Sequence, residues 1–262
     1  MSRTLSLLGT QLRVSALLGL TYRADLVADA VLSLFWTGTA VLPLYLVFEE
    51  RTTIAGHTYP EALMVLGFFT MLQAVLEGAI HPSLATVIDH VRTGSLDFVL
   101  LKPADAQLLL STARFAPLRI VNLLAGLSIL VHAFVRLGRA PSPLDVGLAL
   151  LLFFGAIAIL YSLWILVVSA SFYVGRIDNL RFLFISIFDA ARWPSTVYRG
   201  AIAFVFTYIL PLAVMTTVPA HALLGIVSTE TVVSALLGTV LFAAISRWVF
   251  QRALGRYTSA SS

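Results

Sequence analysis

The chain has no cysteine, so disulfides and cysteine-ligated metal centres are excluded. Lysine is nearly absent: Lys102 is the single example in 262 residues. It lies between Leu101 and Pro103, outside any G-x-x-x-x-G-K-S/T phosphate loop. Energised work by this protein would therefore draw on an energy source in another chain. The H-E-x-x-H and G-x-S-x-G patterns are also missing, and His57, His81, His90, His132 and His221 are scattered. These gaps leave zinc hydrolysis and serine hydrolysis without sequence support. Charge is scarce as well, at 11% of residues, where a soluble protein carries about 25%.

Long apolar sequence fills the space. Ala30–Phe48 carries no charge, Ala62–Ile80 carries only Glu77, and Ile120–Val135 is uncharged and extends back through Phe115 if Arg119 lies near an interface. Val146–Gly175, Gly200–Thr229 and Thr231–Ser246 complete the set. A bilayer crossing needs about 20 predominantly apolar residues. The expectation is one all-α integral membrane domain over 1–262, with six transmembrane helices near 27–48, 62–80, 115–135, 146–172, 200–219 and 231–250. No removable signal peptide is expected at the amino terminus.

Basic residues set the orientation. With the amino terminus in the cytoplasm, Arg3, Arg13, Arg23, Arg92, Lys102, Arg114, Arg176, Arg181, Arg192, Arg199, Arg247, Arg252 and Arg256 all fall inside. Only Arg51, Arg136 and Arg139 remain outside. Both termini are thus expected in the cytoplasm of a multi-pass protein, and the basic excess reports topology, not a nucleic-acid partner. Leu5, Leu8, Leu12 and Leu20 alternate with Arg3, Gln11, Arg13 and Arg23, the pattern of a helix lying in the interface over 1–25. Between 173 and 199 the apolar stretch Phe182–Phe188 is too short to cross, so this segment is placed at the cytoplasmic interface or as an extension of the fourth span. Pro211 and Pro219 are expected to split the fifth run, with Ala220–Ile226 re-entering from outside.

Charged residues inside spans are functional suspects. Glu77 stands one helical turn from His81, close enough for a hydrogen bond or ion pair, and no carboxylate is expected near any span's midpoint. Between the second and third spans, Leu84, Val87, Ile88 and Val91 share a helical face, Gly94 permits a sharp reversal, and Pro103 stops the short helix that follows. The result is a compact knob outside the lipid.

Ile88–Pro103, IDHVRTGSLDFVLLKP, resembles the signature I-R-x-G-x-L-D-x-x-L-L-R/K-P of a bacterial family of ATP-binding-cassette transporter permeases of the type-2 exporter class. Arg92, Gly94, Leu96, Asp97, Leu100, Leu101, Lys102 and Pro103 match in order, and Val91 replaces the usual isoleucine. LTYRADL, ARWPSTVYRG, ILPLAVMTTVPAHALLG and RYTSASS are similar to further family segments. The resemblance implies a bacterial inner-membrane subunit with no cofactor of its own, ATP and magnesium being held by two copies of a partner nucleotide-binding subunit. It also implies a second permease chain, identical or homologous. On this basis 84–103 becomes the coupling region, with Asp89, Arg92, Gly94, Asp97, Lys102 and Pro103 as ATPase-coupling residues, and 1–25 becomes a connector helix. Phe35, Trp36, Phe68, Phe69 and Glu77 are candidates for lining the translocation path or the dimer interface, which suits an amphipathic or hydrophobic cargo. The alternatives are a membrane-embedded lipid enzyme built on Glu77 and His81, or an ATP-independent channel.

Overall fold

The computed structural model describes residues 9–11, 13–14, 23–173 and 178–257. The interfacial helix expected over 1–25 lies mostly outside them. Among the described residues the protein is helical, and an isolated bridge between Ile54 and His57 is the sole β-type pairing. Five helices are long and apolar enough to span a membrane, or six if one bent pair counts as a single span. This is an all-α membrane protein.

Helix α1, Arg23–Glu50, is apolar around its circumference and presents most of its side chains outward. Such a helix suits lipid, where its backbone groups are satisfied internally. Helix α2 runs from Tyr59 to Thr93, well beyond the expected end near residue 80. It opens with Glu61 accepting the Thr58 N–H at 2.9 Å, and Ala62–Thr70 is buried throughout. Its course contains one π-helical turn, Leu76–Ile80, just before Pro82. Proline has no N–H to give the carbonyl four residues back. That carbonyl, on Gly78, instead accepts from the Ala116 N–H at 2.7 Å. The buried Ser83 hydroxyl clamps the same connection by bonding both the N–H and the carbonyl of Arg114. The irregular turn in α2 thus becomes the seat of the chain entering the next span.

Gly94 ends α2 in the left-handed region, at φ 70°. Two short helices follow, α3 (Asp97–Leu100) and α4 (Ala106–Ser111), with Asp105 capping α4 through the Leu108 N–H. Helix α5, Ile120–Leu137, crosses α2 where Gly67 faces Gly126. Small residues at a crossing let two backbones approach, and the close packing this allows is one of the forces that associate helices in lipid. Helix α6, Pro143–Ala170, begins with a Ser142–Asp145 capping box and is the central post of the fold, with Trp164 buried in it.

Residues 178–199, expected at the cytoplasmic interface or as an extension of the fourth span, pack along α6 and α2. Helix α7, Asp178–Phe188, sets Phe184 against Trp164 and Phe188 against Phe69, which lies halfway along the membrane part of α2. The chain then advances toward the Tyr59 end: Trp193, Pro194 and Val197 meet Leu44, Phe48, Ile54 and Ala62. Arg192, expected in a cytoplasmic loop, consequently lies over the Phe69 ring. The apolar stretch is too short for one regular span, and the short helix with its 3-10 turns runs beside α2 from Phe69 toward Ala62. Helices α8 (Gly200–Ile209) and α9 (Leu212–Leu223) form the bent pair, turned by 57° at Leu210–Pro211. Within α9 the helix restarts after Thr216 as Thr217–Leu223, and Pro219 stands in the first turn of that segment, where no N–H is required. Thr216 and Thr217 tie α9 to Ala191 and Ser195. Helix α10, Thr229–Leu254, packs one face on α6 and leaves the rest outward.

Candidate functional site

At membrane depth α1, α2, the start of α5 and the 3-10 turn after α7 enclose an open cavity of about 720 Å³. From α1 come Ser33, Trp36, Thr37 and Thr39; from α2 come Phe69, Thr70, Gln73 and Glu77. Arg119 and Asn122 close one side, and Asp189 and Arg192 another. The cavity is unusually polar for a place walled by membrane helices. Glu77 and Arg119 form an ion pair at 3.2 Å, and Gln73 donates to Glu77 at 3.1 Å. Asp189 and Arg192 pair at 3.3 Å, and the Arg192 guanidinium stands 5.5 Å from the Phe69 ring centre. Ser33 donates to Asn122, linking α1 to α5. The wall holds two cations and two anions beside hydroxyl and amide groups. Ionisable groups at membrane depth are costly and persist where they face a wet cavity.

Two expectations change here. Glu77 pairs across the helices with Arg119, while the His81 ring stands edge-on to Trp164, 5.4 Å away. A second carboxylate, Asp189, stands on the cavity wall, paired with the Arg192 that covers the Phe69 ring. Of the five expected lining residues, Trp36, Phe69 and Glu77 are on the cavity. Phe35 is exposed beside Trp36 and off the cavity wall. Phe68 is buried against Phe153 on the other side of α2, since adjacent helical residues differ by about 100°. Thr70, Gln73 and Glu77 recur at helical spacing, a readable signal that one face of α2 is polar. Asn122 and Arg119 give no comparable pattern.

The six expected coupling residues gather at the Thr93 end of α2. Asp89 and Arg92 form an exposed pair at 3.6 Å, and such pairs contribute about 0–1 kcal/mol. Gly94 makes the reversal, Asp97 starts α3, and Lys102 and Pro103 lie in the exposed turn after it. What the charged-residue reading missed is the apolar tip: Phe98 is 72% exposed and Leu101 80%. The helix face read from Leu84, Val87, Ile88 and Val91 forms the root: Leu84 and Val87 are buried, Ile88 and Val91 are half-buried, and Leu96 joins them.

A polar relay fixes that root. Arg247 on α10 bonds both carboxylate oxygens of Asp105 and donates to Gln107 at 2.8 Å. Gln107 donates to the Tyr161 hydroxyl at 2.9 Å, which also meets Ser111 at 2.6 Å. Hydrogen bonding to Arg247 holds the Asp105 carboxyl below the usual carboxylate range. The associated stability is complete above the ordinary aspartate pKa and disappears as pH falls through the depressed value. Asp105→Asn is expected to lose about 1 kcal/mol at neutral pH, the group being partly exposed, and the deficit should shrink below about pH 4. Thermal unfolding of both proteins in detergent across that range checks it. At the opposite end, His57 and His221 stack at 5.3 Å, and burial lowers the His57 pKa despite Glu61 at 3.8 Å.

Residues 34–261 match the family model described as ABC-2 family transporter protein. No curated protein matches the chain.

Proposed function

Because the chain belongs to the ABC-2 transporter family, and is thus a membrane component of an ABC transporter, we propose that it moves a polar cargo out of the cytoplasm on ATP hydrolysed by a separate subunit. One observation carries the reading: a single helix, α2, joins the cavity to the exposed tip. Its 35 residues extend about 52 Å at 1.5 Å per residue, from Tyr59 past Gln73 and Glu77 to Thr93. A push at the Thr93 end is delivered along that rod to the cavity wall. The π-helical turn sits where the wall ends, at Glu77, and such turns often mark functional sites.

The tip at Phe98 and Leu101 is the proposed seat of the nucleotide-binding subunit, with Asp89, Arg92, Asp97 and Lys102 as its charged surround. Arg92, Lys102, Arg114, Arg247, Arg252 and Arg256 near this end favour a cytoplasmic position, against Arg51, Arg136, Arg139 and Arg199 at the other. Two ATPase copies, carrying ATP and magnesium, and a second permease chain of the same or homologous sequence would complete the assembly. The open side of the cavity is where that second chain would stand. Glu77 is engaged by Arg119 and Gln73, an arrangement that suits a path wall better than a catalytic base. The hydroxyl, amide and ion-pair lining favours cargo with hydrogen-bonding surface over pure hydrocarbon.

The test uses the lack of native cysteine. Gln73→Cys in the complex with the neighbouring-gene ATPase is expected to react with a membrane-impermeant maleimide from the cytoplasmic side at rest. After vanadate trapping, that labelling should fall at least about tenfold while labelling from the opposite side rises, as alternating access requires. Labelling unchanged by ATP and vanadate, or failure to co-purify with an ABC ATPase, overturns the reading. Glu77→Ala, which strands Arg119, is expected to slow cavity closure in the same assay. The charge-swapped pair, Glu77→Arg with Arg119→Glu, should recover part of the rate.

A further inference from the structure

A second cavity, about 640 Å³, lies between α2, α5 and α6 toward the Tyr59 end. Its walls are almost wholly apolar, with Met71, Leu130, Val135, Val146 and Leu150 among them, and its one charged residue, Arg139, stands at the mouth. That size falls within the roughly 300–1,000 Å³ usual for ligand pockets. Arg139 is fixed there by donating one N–H to the Leu224 carbonyl at 2.8 Å, while a guanidinium has five such donors. Asp145, at the same corner, is engaged by the N–H and hydroxyl of Ser142.

We propose that this groove binds one phospholipid, with one of its two acyl chains along the apolar walls and its phosphate on Arg139. Two arguments select a lipid. The groove grades from hydrocarbon to a single positive charge at one end, the complement of an anionic amphiphile. It also opens on the face of α2 opposite the polar cavity: Phe68 and Met71 point away from Phe69, Thr70 and Gln73 at about 100° per residue. If the second permease chain stands across the polar cavity, as proposed above, this face is turned to the bilayer. Leu223 at the end of α9 also lines the groove, and Arg139 holds the next residue, so an occupied groove braces the end of the bent pair.

Native mass spectrometry of the full chain in detergent, titrated with 1-palmitoyl-2-oleoyl phosphatidylglycerol, tests this. Wild type is expected to retain one lipid per chain above the non-specific ladder. Arg139→Ala should weaken retention about tenfold, the scale of losing hydrogen bonds to a charged group. Val146→Trp, which keeps Arg139 and obstructs the groove, should weaken it comparably. Equal retention by all three proteins overturns the site, as does displacement of the lipid by inorganic phosphate alone. Val135→Cys separates this failure from that of the pairing reading. Efficient cross-linking between two copies at Val135 would show a second chain on this face and overturn both. Failure of the wild type to retain lipid, with no cross-linking at Val135, would overturn the lipid site alone.

Discussion

Gly126→Ala is expected to destabilise the protein by about 2–3 kcal/mol, although it adds a single methyl group and improves helix propensity. A Cβ at this position would lie 2.8 Å from the Gly67 carbonyl oxygen and 2.6 Å from Met71 Cγ, with the Met71 nitrogen at 3.0 Å. Two of those neighbours are backbone, so relief requires α2 and α5 to separate. Gly67→Ala should cost less, because the added atom would meet mainly the Leu130 side chain, at 2.7 Å, which can rotate. Gly147→Ala on α6 meets nothing within 4 Å and should be neutral or stabilising by up to about 1 kcal/mol. At roughly 2–4 °C per kcal/mol, Gly126→Ala should lower the unfolding midpoint by roughly 4–12 °C, measured against Gly147→Ala in the same detergent. Equal midpoints would show that the close approach is not what holds these helices together. The consequence reaches the cavity, since separating α2 from α5 also separates Glu77 from Arg119.

Which parts of this arrangement were legible in the sequence follows from the range of each interaction. The long charge-free runs reveal their helices because lipid demands uniform apolarity over a whole span. Gly94 announces its turn because the left-handed backbone it adopts is open mainly to glycine. The same logic fails for Arg192: charge counting assigned it to a loop, yet the structure sets it over Phe69, where a cavity supplies the polar surroundings. Phe68 and Phe69 are adjacent, chemically identical and both buried, and only the rotation of α2 turns one toward Phe153 and the apolar groove and the other toward the polar cavity. The bond from Ala116 to the Gly78 carbonyl joins residues far apart in sequence. Pro82 signals that a carbonyl is left over, but nothing local names its new partner.

The other large effect concerns the tip. Phe98→Asp combined with Leu101→Asp is expected to abolish association with the ATPase subunit while leaving the permease folded. At 72% and 80% exposure the two side chains have little to lose in the monomer, and burying such apolar surface is the only gain their position offers. Central apolar and aromatic anchors typically contribute about 2–4 kcal/mol each to an interface. Even one such loss weakens binding about 30- to 1,000-fold, since each 1.4 kcal/mol is about tenfold. Arg92→Glu should do far less, because its partner Asp89 is equally exposed and screened. The comparison separates two accounts of one knob. If charge directs docking, Arg92→Glu disrupts co-purification and raising the salt reproduces the defect. If the apolar tip anchors it, the double aspartate variant fails at every salt concentration while Arg92→Glu changes mainly the association rate. Unchanged co-purification of the double variant would exclude Phe98 and Leu101 as the anchor and return the assignment to the charged surround. Size-exclusion behaviour of the variant alone supplies the folding control, as the buried root at Leu84, Val87 and Leu96 is untouched.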